Sequence, residues 1–317
     1  MDAPQKPSLA FLGPLGTFSH QVAHQYFGDR VSYQPQLSIA NVYRALSLDI
    51  QYACIPLANS THGSVIETFD LLRDSRWGNE ISICGETLLE IEHCLVVHKS
   101  SSRSTKPSED RENDTIGSIT TVISHEQALG QCTNWLATHL PKAKQIKTSS
   151  TSRAAQMISD GTILDDTEGG LVAAICSEIC VHTYPNLTIL KRNLQDRNDN
   201  QTRFIIARHD SATDSPVLTR TIDPSPHRLL LRANIGEMPV HSLFERLTSS
   251  RFWKGVRLER MDKRPCLGGS GPLWSDVYFF EFSIGPNDTP FSLKRELHQL
   301  QVDLELDESS MALLGTW

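Results

Sequence analysis

Short apolar runs alternate with longer amphipathic windows along the first two thirds of the chain. The runs have the length and composition of strands, whereas the windows repeat apolar residues with the 3.6-residue period of a helix. The strand-like runs are 9–12, 52–55, 91–97, 121–124, 144–147, 171–175 and 187–190, and the helical windows are 21–27, 65–73, 128–138, 153–159 and 178–182. Alternation of strands and helices predicts an α/β region with a mostly parallel sheet.

A different order of elements follows in residues 228–317. The strand-like runs there are 228–233, 256–261, 277–283 and 312–317, and the helical windows are 240–249 and 292–300. This β-α-β-β-α-β order predicts a ferredoxin-like domain. Small domains of this kind often bind regulatory ligands, although a fold by itself does not establish a function.

Two polar stretches divide the chain. Residues 99–120 contain almost no large apolar residue, which predicts a surface insertion. Residues 210–227 contain three prolines among Ser, Asp and Thr, which predicts a linker. We therefore expect an α/β region at 7–209, a linker at 210–227 and a second domain at 228–317.

Composition and charge narrow the class of protein. The chain of 317 residues is 39% hydrophobic and 21% charged, as in an ordinary globular protein, and its net charge is −7. A negative chain does not present the basic surface that nucleic acid or an anionic membrane requires. No apolar run approaches the ~20 residues that cross a bilayer, and the N-terminus lacks a signal-peptide pattern, so we expect a cytoplasmic protein.

The sequence contains few Cys or His spacings of the kind that bind metals. The seven cysteines, an odd number, fit reduced core thiols better than a disulfide framework. Cys176 and Cys180 lack a second Cys/His pair at zinc-finger spacing, and His20 and His24 lack a third ligand. We therefore expect no metal and no cofactor.

Hydroxyl and amide residues follow the ends of several strand-like runs, just before a helical window. They occur in the turn 13–19, in 59–61, at Ser124 and in 150–152. The carboxyl ends of parallel strands meet at one edge of a sheet, and helix N-termini attract anions, so together these residues predict a cleft for carboxylates. Singly, each is also a preferred helix N-cap, and the turn 13–19 lacks both nucleotide-loop patterns.

Five segments, in this order along the chain, resemble the signatures of prephenate dehydratases. They are 11–19 (FLGPLGTFS), 55–65 (IPLANSTHGSV), 124–132 (SHEQALGQC), 150–155 (STSRAA) and 200–204 (NQTRF). The resemblance implies a metal-independent carbon–oxygen lyase that converts prephenate to phenylpyruvate on a two-lobed, periplasmic-binding-protein-like region. No helical segment resembling a chorismate mutase precedes Gly13, so a monofunctional enzyme is expected.

The resemblance also implies roles for single residues. Thr202 is expected to donate a hydrogen bond to the leaving hydroxyl, and Ser124 and Gln131 are expected to belong to the catalytic set. The residues expected to bind the substrate are Thr17, Asn59, Ser60, Ser150, Thr151, Ser152, Arg203 and Phe204. Arg203 has a second interpretation, because in a regular strand it would face away from Thr202 and form a structural salt bridge.

One departure from the family pattern falls beside Asn59. Ala58 stands where the family usually has a Glu. We expect either that the enzyme works without this carboxylate or that Glu67, Glu86 or Glu126 replaces it.

The C-terminal region is similar to the ACT domain that binds phenylalanine in this family. Arg264 and Pro265 look like a remnant of its Glu-Ser-Arg-Pro segment, whereas Val240 and His241 stand in place of a Gly-Ala-Leu turn. These four residues form the candidate regulatory site. The usual glycine permits close approach of the backbone to a ligand, so Val240 leaves control by L-phenylalanine open. A homodimer or homotetramer is expected, because ACT domains generally pair across subunits.

Two other functions remain open. Arogenate dehydratase, a relative, acts on a substrate with an amino group in place of the side-chain ketone. A catalytically inactive protein that binds or senses a small anion would also use such a cleft, and the missing Glu fits that interpretation. The presence of Thr202 favours catalysis.

Overall fold

In the computed structural model, the described residues form two β-sheets, one of ten strands and one of five. The structure describes residues 6–101, 114–165, 169–212, 227–236, 238–249, 256–266, 275–284, 290–304 and 310–317. No helix in this described part of the chain is both long and apolar enough to span a bilayer.

The first lobe forms one end of the ten-stranded sheet. Its elements are β1 (Ser8–Leu12), α1 (Phe18–Phe27), β2 (Ser32–Gln36), α2 (Ile39–Ala45), β3 (Tyr52–Asn59), β4 (Gly63–Ser64), α3 (Ile66–Leu71), β5 (Ile81–Glu90) and β11 (Gln201–His209). Strands β2, β1 and β3 are parallel, whereas β11 runs antiparallel between β3 and β5. Phe204 packs with α1, and its neighbour Ile205 packs with α2 and α3, because adjacent strand residues point to opposite faces.

The second lobe contains the five-stranded sheet, in the order β10-β6-β9-β7-β8. Its elements are β6 (Cys94–His98), β7 (Ile119–His125), α4 (Glu126–Gln131), α5 (Thr133–His139), β8 (Lys144–Thr148), α6 (Thr151–Ser159), β9 (Leu171–Cys176), α7 (Ile179–Thr183) and β10 (Leu187–Lys191). Helices α4 and α6 cover opposite faces, since Leu129 and Ile158 belong to different buried clusters.

Two crossings of the chain join the lobes. The chain leaves the first sheet after β5, enters the second at β6, and returns from β10 to β11. The crossings run side by side, because Ile91 N donates to Asn200 O at 2.9 Å and Leu194 N donates to His93 O at 3.1 Å. The start of β11, which carries Thr202, therefore lies at the junction of the lobes.

The C-terminal unit forms the other end of the ten-stranded sheet. Its elements are β12 (His227–Asn234), α8 (Val240–Ser249), β13 (Arg257–Pro265), β14 (Asp276–Ile284), α9 (Pro290–Asp303) and β15 (Met311–Thr316), and its strands lie in the order β13-β14-β12-β15. One face packs against its own helices through residues such as Phe280, whereas the other buries Phe279 against Phe69 and other first-lobe residues.

A glycine lies where the strands of the first lobe meet those of the C-terminal unit within the ten-stranded sheet. Gly315 of β15 pairs in parallel with Ile83 of β5. A Cβ at Gly315 would lie 2.2 Å from the carbonyl oxygen of Ile83, so only glycine allows the strands to come this close.

The α/β class, the two-lobed region and the ferredoxin-like order of the C-terminal unit are confirmed. The sheets are mixed rather than mostly parallel, because β11, β6 and β10 run against their neighbours where the chain crosses between lobes. Strands β2, β5 and β11 and helix α2 are not among the predicted runs and windows. Strand β2, for example, reads Ser-Tyr-Gln-Pro-Gln and contains no apolar run. Most of the expected insertion (102–113) and linker (213–226) lies outside the described residues.

Candidate active site

A cavity of about 360 Å³ lies between the two lobes. Both lobes and both crossings line it, through Leu12, Gly13, Thr17, Phe18, Ser19, Pro56, Asn59, His62, Ile91, His93, His125, Gln127, Ala128, Gln131, Ser149, Ser150, Thr151, Asn200, Thr202 and Phe204. None of these described lining residues is Asp, Glu, Lys or Arg. Its polar side chains are therefore hydroxyls, amides and imidazoles.

Three helices begin at this cavity. Thr17, His125 and Ser150 are the N-caps of α1, α4 and α6, and each side chain accepts a hydrogen bond from an N–H of its own helix. The positive ends of the helix dipoles favour an anion by about 0.3–1 kcal/mol at each exposed helix end, and by more at a sheltered one. The cavity can thus hold a negatively charged molecule without a cationic side chain.

The hydroxyl of Thr202 is held by Asn59. Asn59 Nδ2 donates to Thr202 Oγ1 at 2.9 Å and to Asn200 Oδ1 at 2.8 Å. Its Oδ1 accepts from the backbone N–H groups of Thr61 at 2.9 Å and His62 at 3.0 Å, which fixes the orientation of the amide. Because Thr202 Oγ1 accepts from Asn59, its own proton can be donated to a group in the cavity.

The turn between β1 and α1 is tied to its own helix and to the second lobe. Thr17 Oγ1 donates to Leu12 O at 2.9 Å, and Gly16 N donates to His20 Nδ1 at 3.1 Å. Gly16, at a φ of +84°, lies against Ser152, and its carbonyl accepts from Ser177 Oγ at 2.8 Å. Burial, with a smaller effect of the neighbouring His24, lowers the pKa of His20 to about 4, which keeps its Nδ1 an acceptor.

Seven of the residues assigned to the site line the cavity together. They are Thr17, Asn59, Gln131, Ser150, Thr151, Thr202 and Phe204. The cavity also contains polar residues that received no role from the sequence, namely Ser19, His62, His93, His125, Gln127, Ser149 and Asn200. Several of them lie inside or beside the five segments that resemble the family signatures, so those segments could have indicated them. His93 instead lies in a run that predicted only a strand.

Three assigned serines lie outside the cavity. Ser124 is fully buried in β7 and donates to Ile175 O of the adjacent strand at 2.6 Å. Ser152 is also fully buried, where it donates to Leu15 O and bonds to Tyr184 Oη. Ser60 donates to Asp199 O at 2.8 Å. All three hydroxyls form hydrogen bonds within the protein and none lines the cavity, so the catalytic role of Ser124 and the binding roles of Ser60 and Ser152 stay predictions.

Arg203 also lies outside the cavity, as its alternative interpretation required. Its two terminal nitrogens donate to Glu281 of β14 at 2.7 Å each, and its Nε donates to Glu86 of β5 at 2.7 Å. Arg228 also contacts both carboxylates. Burial would raise the pKa of Glu281, but the hydrogen bonds and charges of Arg203 and Arg228 hold it below its usual value. Arg203, Glu86, Glu281 and Arg228 form what we call the ion-pair cluster.

No candidate for the missing carboxylate reaches the cavity. Glu86 belongs to the ion-pair cluster, Glu67 accepts from Ala40 N at 3.1 Å, and Glu126 pairs with Lys147. Ala58 itself pairs across the sheet with Ser64 and lines a separate recess. A longer side chain at position 58 would therefore start outside the cavity.

The candidate regulatory residues lie at one end of the C-terminal sheet. Arg264 pairs with Asp70 of α3 at 2.7 Å, and the carbonyl of Pro265 accepts from Arg73 at 2.6 Å. Val240 packs against the core of the C-terminal unit, whereas His241 is exposed at the start of α8. Arg264 and Pro265 thus hold this unit against the first lobe.

Comparison with known proteins gives a consistent result. A family model described as prephenate dehydratase matches residues 9–212. The bifunctional chorismate mutase/prephenate dehydratase of Pseudomonas aeruginosa is 29% identical over 90% of this chain and 67% of that relative. The prephenate dehydratase of Bacillus subtilis is 27% identical over 87% of each chain. The chain spans about two thirds of the length of the bifunctional relatives that it matches.

A solved structure shares the fold. The crystal structure described as prephenate dehydratase in complex with L-Phe from Arthrobacter aurescens superposes with a TM-score of 0.69 at 24% identity. The alignment covers 98% of this chain and 89% of that chain. The likeness therefore includes the C-terminal unit as well as the two lobes.

The buried neutral His20 makes stability depend on pH. Its pKa is about 4 in the folded chain and 6.5 for the unperturbed side chain, so the unfolded state takes up a proton first as the pH falls. This residue should therefore lower the free energy of unfolding by about 2 kcal/mol between pH 7.5 and pH 5. Urea denaturation at both pH values measures this loss, which should be about 2 kcal/mol smaller in His20→Asn. The control is His182→Asn, which replaces an exposed histidine and should show the same loss as wild type. Equal losses in wild type and His20→Asn would show that His20 is not the source of the pH dependence.

Proposed function

This chain belongs to the prephenate dehydratase family, and we propose that it removes CO₂ and the ring hydroxyl from prephenate to give phenylpyruvate. The carbon–carbon bond to the ring carboxylate breaks, and its electron pair completes the aromatic ring. The ring carbon–oxygen bond breaks at the opposite position, and the departing hydroxide takes one proton to become water. The proposed enzyme is therefore a carbon–oxygen lyase that needs no oxidant or reductant.

One observation carries this proposal: Thr202 lies in a cavity that three helix N-termini face and that uncharged polar side chains line. Prephenate carries two carboxylates. Several helix N-termini, each with a partial positive charge, suit two carboxylates better than a single cation does. In the proposed reaction one carboxylate must leave as neutral CO₂. Neutral donors hold this carboxylate without the strong counter-charge that would stabilise it against loss.

Thr202 is the group that we assign to the leaving hydroxyl. Its oxygen accepts from Asn59, which leaves its proton for the oxygen on which negative charge grows. A threonine hydroxyl is too weak an acid to transfer a proton alone, so Thr202 acts as a hydrogen-bond donor. Asn59 has both of its amide hydrogens and its carbonyl engaged by the protein, so its role becomes the positioning of Thr202.

The lining of the cavity favours a keto acid over an amino acid. The ammonium group of arogenate would lose water on binding and would need a carboxylate or several acceptors in return. None of the described residues that line the cavity is Asp or Glu. We therefore expect kcat/KM for prephenate to exceed that for arogenate by at least about 10-fold.

Assays of the purified chain with each substrate test the function and its specificity together. Formation of phenylpyruvate from prephenate is the expected result. A folded protein that binds prephenate without turnover would be a binding or sensor protein, and a higher kcat/KM with arogenate would make it an arogenate dehydratase.

Replacing Thr202 by Ala should lower kcat by about 10²–10³-fold, because an oxyanion-type donor is removed from the transition state. Thr202→Ser keeps a hydroxyl and should stay much closer to wild type. Thr188→Ala, a half-buried strand residue of the second lobe, is the matched control. A folded Thr202→Ala variant with kcat within twofold of wild type would remove Thr202 from the mechanism.

Regulation by L-phenylalanine through the C-terminal unit is part of the proposal. The Arthrobacter aurescens protein of the same fold is described in complex with L-Phe. Within this chain the ion-pair cluster joins β14 of the C-terminal unit to β11, one residue from Thr202. The homodimer or homotetramer expected from the resemblance remains a prediction.

We expect L-phenylalanine to lower the initial rate of prephenate turnover, since binding at the C-terminal unit would act on β11. Initial rates with and without the amino acid measure the effect, and calorimetry measures binding. Unchanged rates together with absent binding would show that Val240 and the other departures have removed this control.

A further inference from the structure

His93 stands at the junction of the lobes and has no place in the mechanism so far. It follows β5 in the first crossing, its N–H donates to Gln195 Oε1 at 3.0 Å, and its carbonyl accepts from Leu194 N at 3.1 Å. Only 1% of the residue is exposed, and it lines the cavity. The second crossing therefore holds the backbone of His93, which lies in the first, in place.

Within the described part of the chain, the imidazole of His93 makes one hydrogen bond, which is with Gln131. His93 Nε2 lies 2.8 Å from Gln131 Oε1. The rings of His93 and of Phe18 in α1 pack edge to face, with 5.5 Å between their centres. With the Gln131 amide oriented so that its oxygen faces His93, that oxygen can only accept, and this arrangement places the hydrogen of the bond on His93 Nε2. Burial lowers the pKa of His93 more than the bond to Gln131 raises it, which agrees with a neutral ring.

The same arrangement sets which end of the Gln131 amide faces the cavity. The oxygen is turned towards His93, so the NH₂ group is the part of the side chain left for a ligand. If the amide were reversed, the cavity would meet a carbonyl oxygen, which repels a carboxylate. An NH₂ group instead adds a neutral donor to the helix ends that face the same space.

We propose that His93 is a positioning residue, which fixes the amide of Gln131 so that its NH₂ group binds a carboxylate of the substrate. The proposal rests on the proposed function only for the identity of that carboxylate. The proposed hydrogen on Nε2 and the proposed orientation of the amide concern the free protein, so both can be tested without a substrate.

His93→Phe keeps a buried ring and removes the donor, so it should lower kcat/KM for prephenate by about 10–50-fold. His93→Gln places an amide nitrogen near the position of Nε2 and should recover activity to within about 3-fold of wild type. His98→Phe, five residues along the chain, is the matched control, because the His98 ring bonds only to Ser100 among the side chains of the described chain.

A double-mutant cycle separates positioning from a merely structural role. In a Gln131→Met background the amide is absent, so adding His93→Phe should cost less than about 2-fold. The same 10–50-fold loss in both backgrounds would show that His93 acts independently of Gln131. A His93→Gln variant no better than His93→Phe would likewise overturn the proposal.

The tautomer can be observed without any substrate. Long-range ¹H–¹⁵N spectra of histidine-labelled protein at pH 7 should show His93 neutral, with its hydrogen on Nε2 and the signal perturbed by Gln131→Met. A hydrogen on Nδ1, or a charged ring, would overturn the proposal even if prephenate is turned over. If the tautomer and the perturbation are found but phenylpyruvate does not form, the proposed function fails and the positioning of Gln131 stands. This spectrum also decides the matter if His93→Phe does not fold.

Discussion

The pairing of β11 with β3 is the constraint on which the rest of the site depends. It sets Thr202 opposite Asn59, 143 residues apart in the sequence, and the hydrogen bond between them is 2.9 Å long. Strand β11 is also the strand by which the chain returns from the second lobe. The hydroxyl of Thr202 therefore belongs to the first lobe, while α4 and α6 face it from the second. An anion that contacts Thr202 and these two helices at once can bind only when the two lobes lie at one particular distance from each other.

Successive side chains of β11 point to opposite faces of the sheet, and this alternation keeps the charged groups of the ion-pair cluster out of the cavity. Thr202 and Phe204 line the cavity, whereas Arg203 between them enters the ion-pair cluster on the other side. Glu281 is only 2% exposed, and a buried carboxylate is tolerated when guanidinium groups satisfy its oxygens. The cavity is left with dipoles and neutral donors, whose orientation is fixed before any ligand arrives. Fixed dipoles of this kind need no reorganisation when charge develops in the reaction.

The sequence predicted the architecture well because the spacing of apolar residues along a strand or helix follows directly from which of its faces is buried. It predicted the cavity less well, because Ser, Thr and Asn at a helix start have the same pattern whether or not their hydroxyls face a ligand. Ser150 and Ser152 are two residues apart, yet one lines the cavity and the other is fully buried against Leu15. Ser124 lies next to the last residue of β7, but its hydroxyl bonds to the neighbouring strand. His93 could not be found, since its partner Gln131 lies 38 residues away and an isolated histidine in a strand-like run carries no signal.

The ion-pair cluster gives the C-terminal unit a physical connection to the site. Arg203 binds Glu281 through two parallel hydrogen bonds, a geometry that resists both rotation and sliding. Removing one partner of such a buried pair typically costs about 3–5 kcal/mol, so β14 cannot move alone without a comparable loss. Gly315 adds a second constraint, because β15 lies so close to β5 that no side chain fits between them. A displacement of the C-terminal strands would therefore act on β5 and β11, with which they are in contact. Because Arg203 and Thr202 are adjacent on one strand, such a displacement would reach the cavity at the hydroxyl that we assign to catalysis.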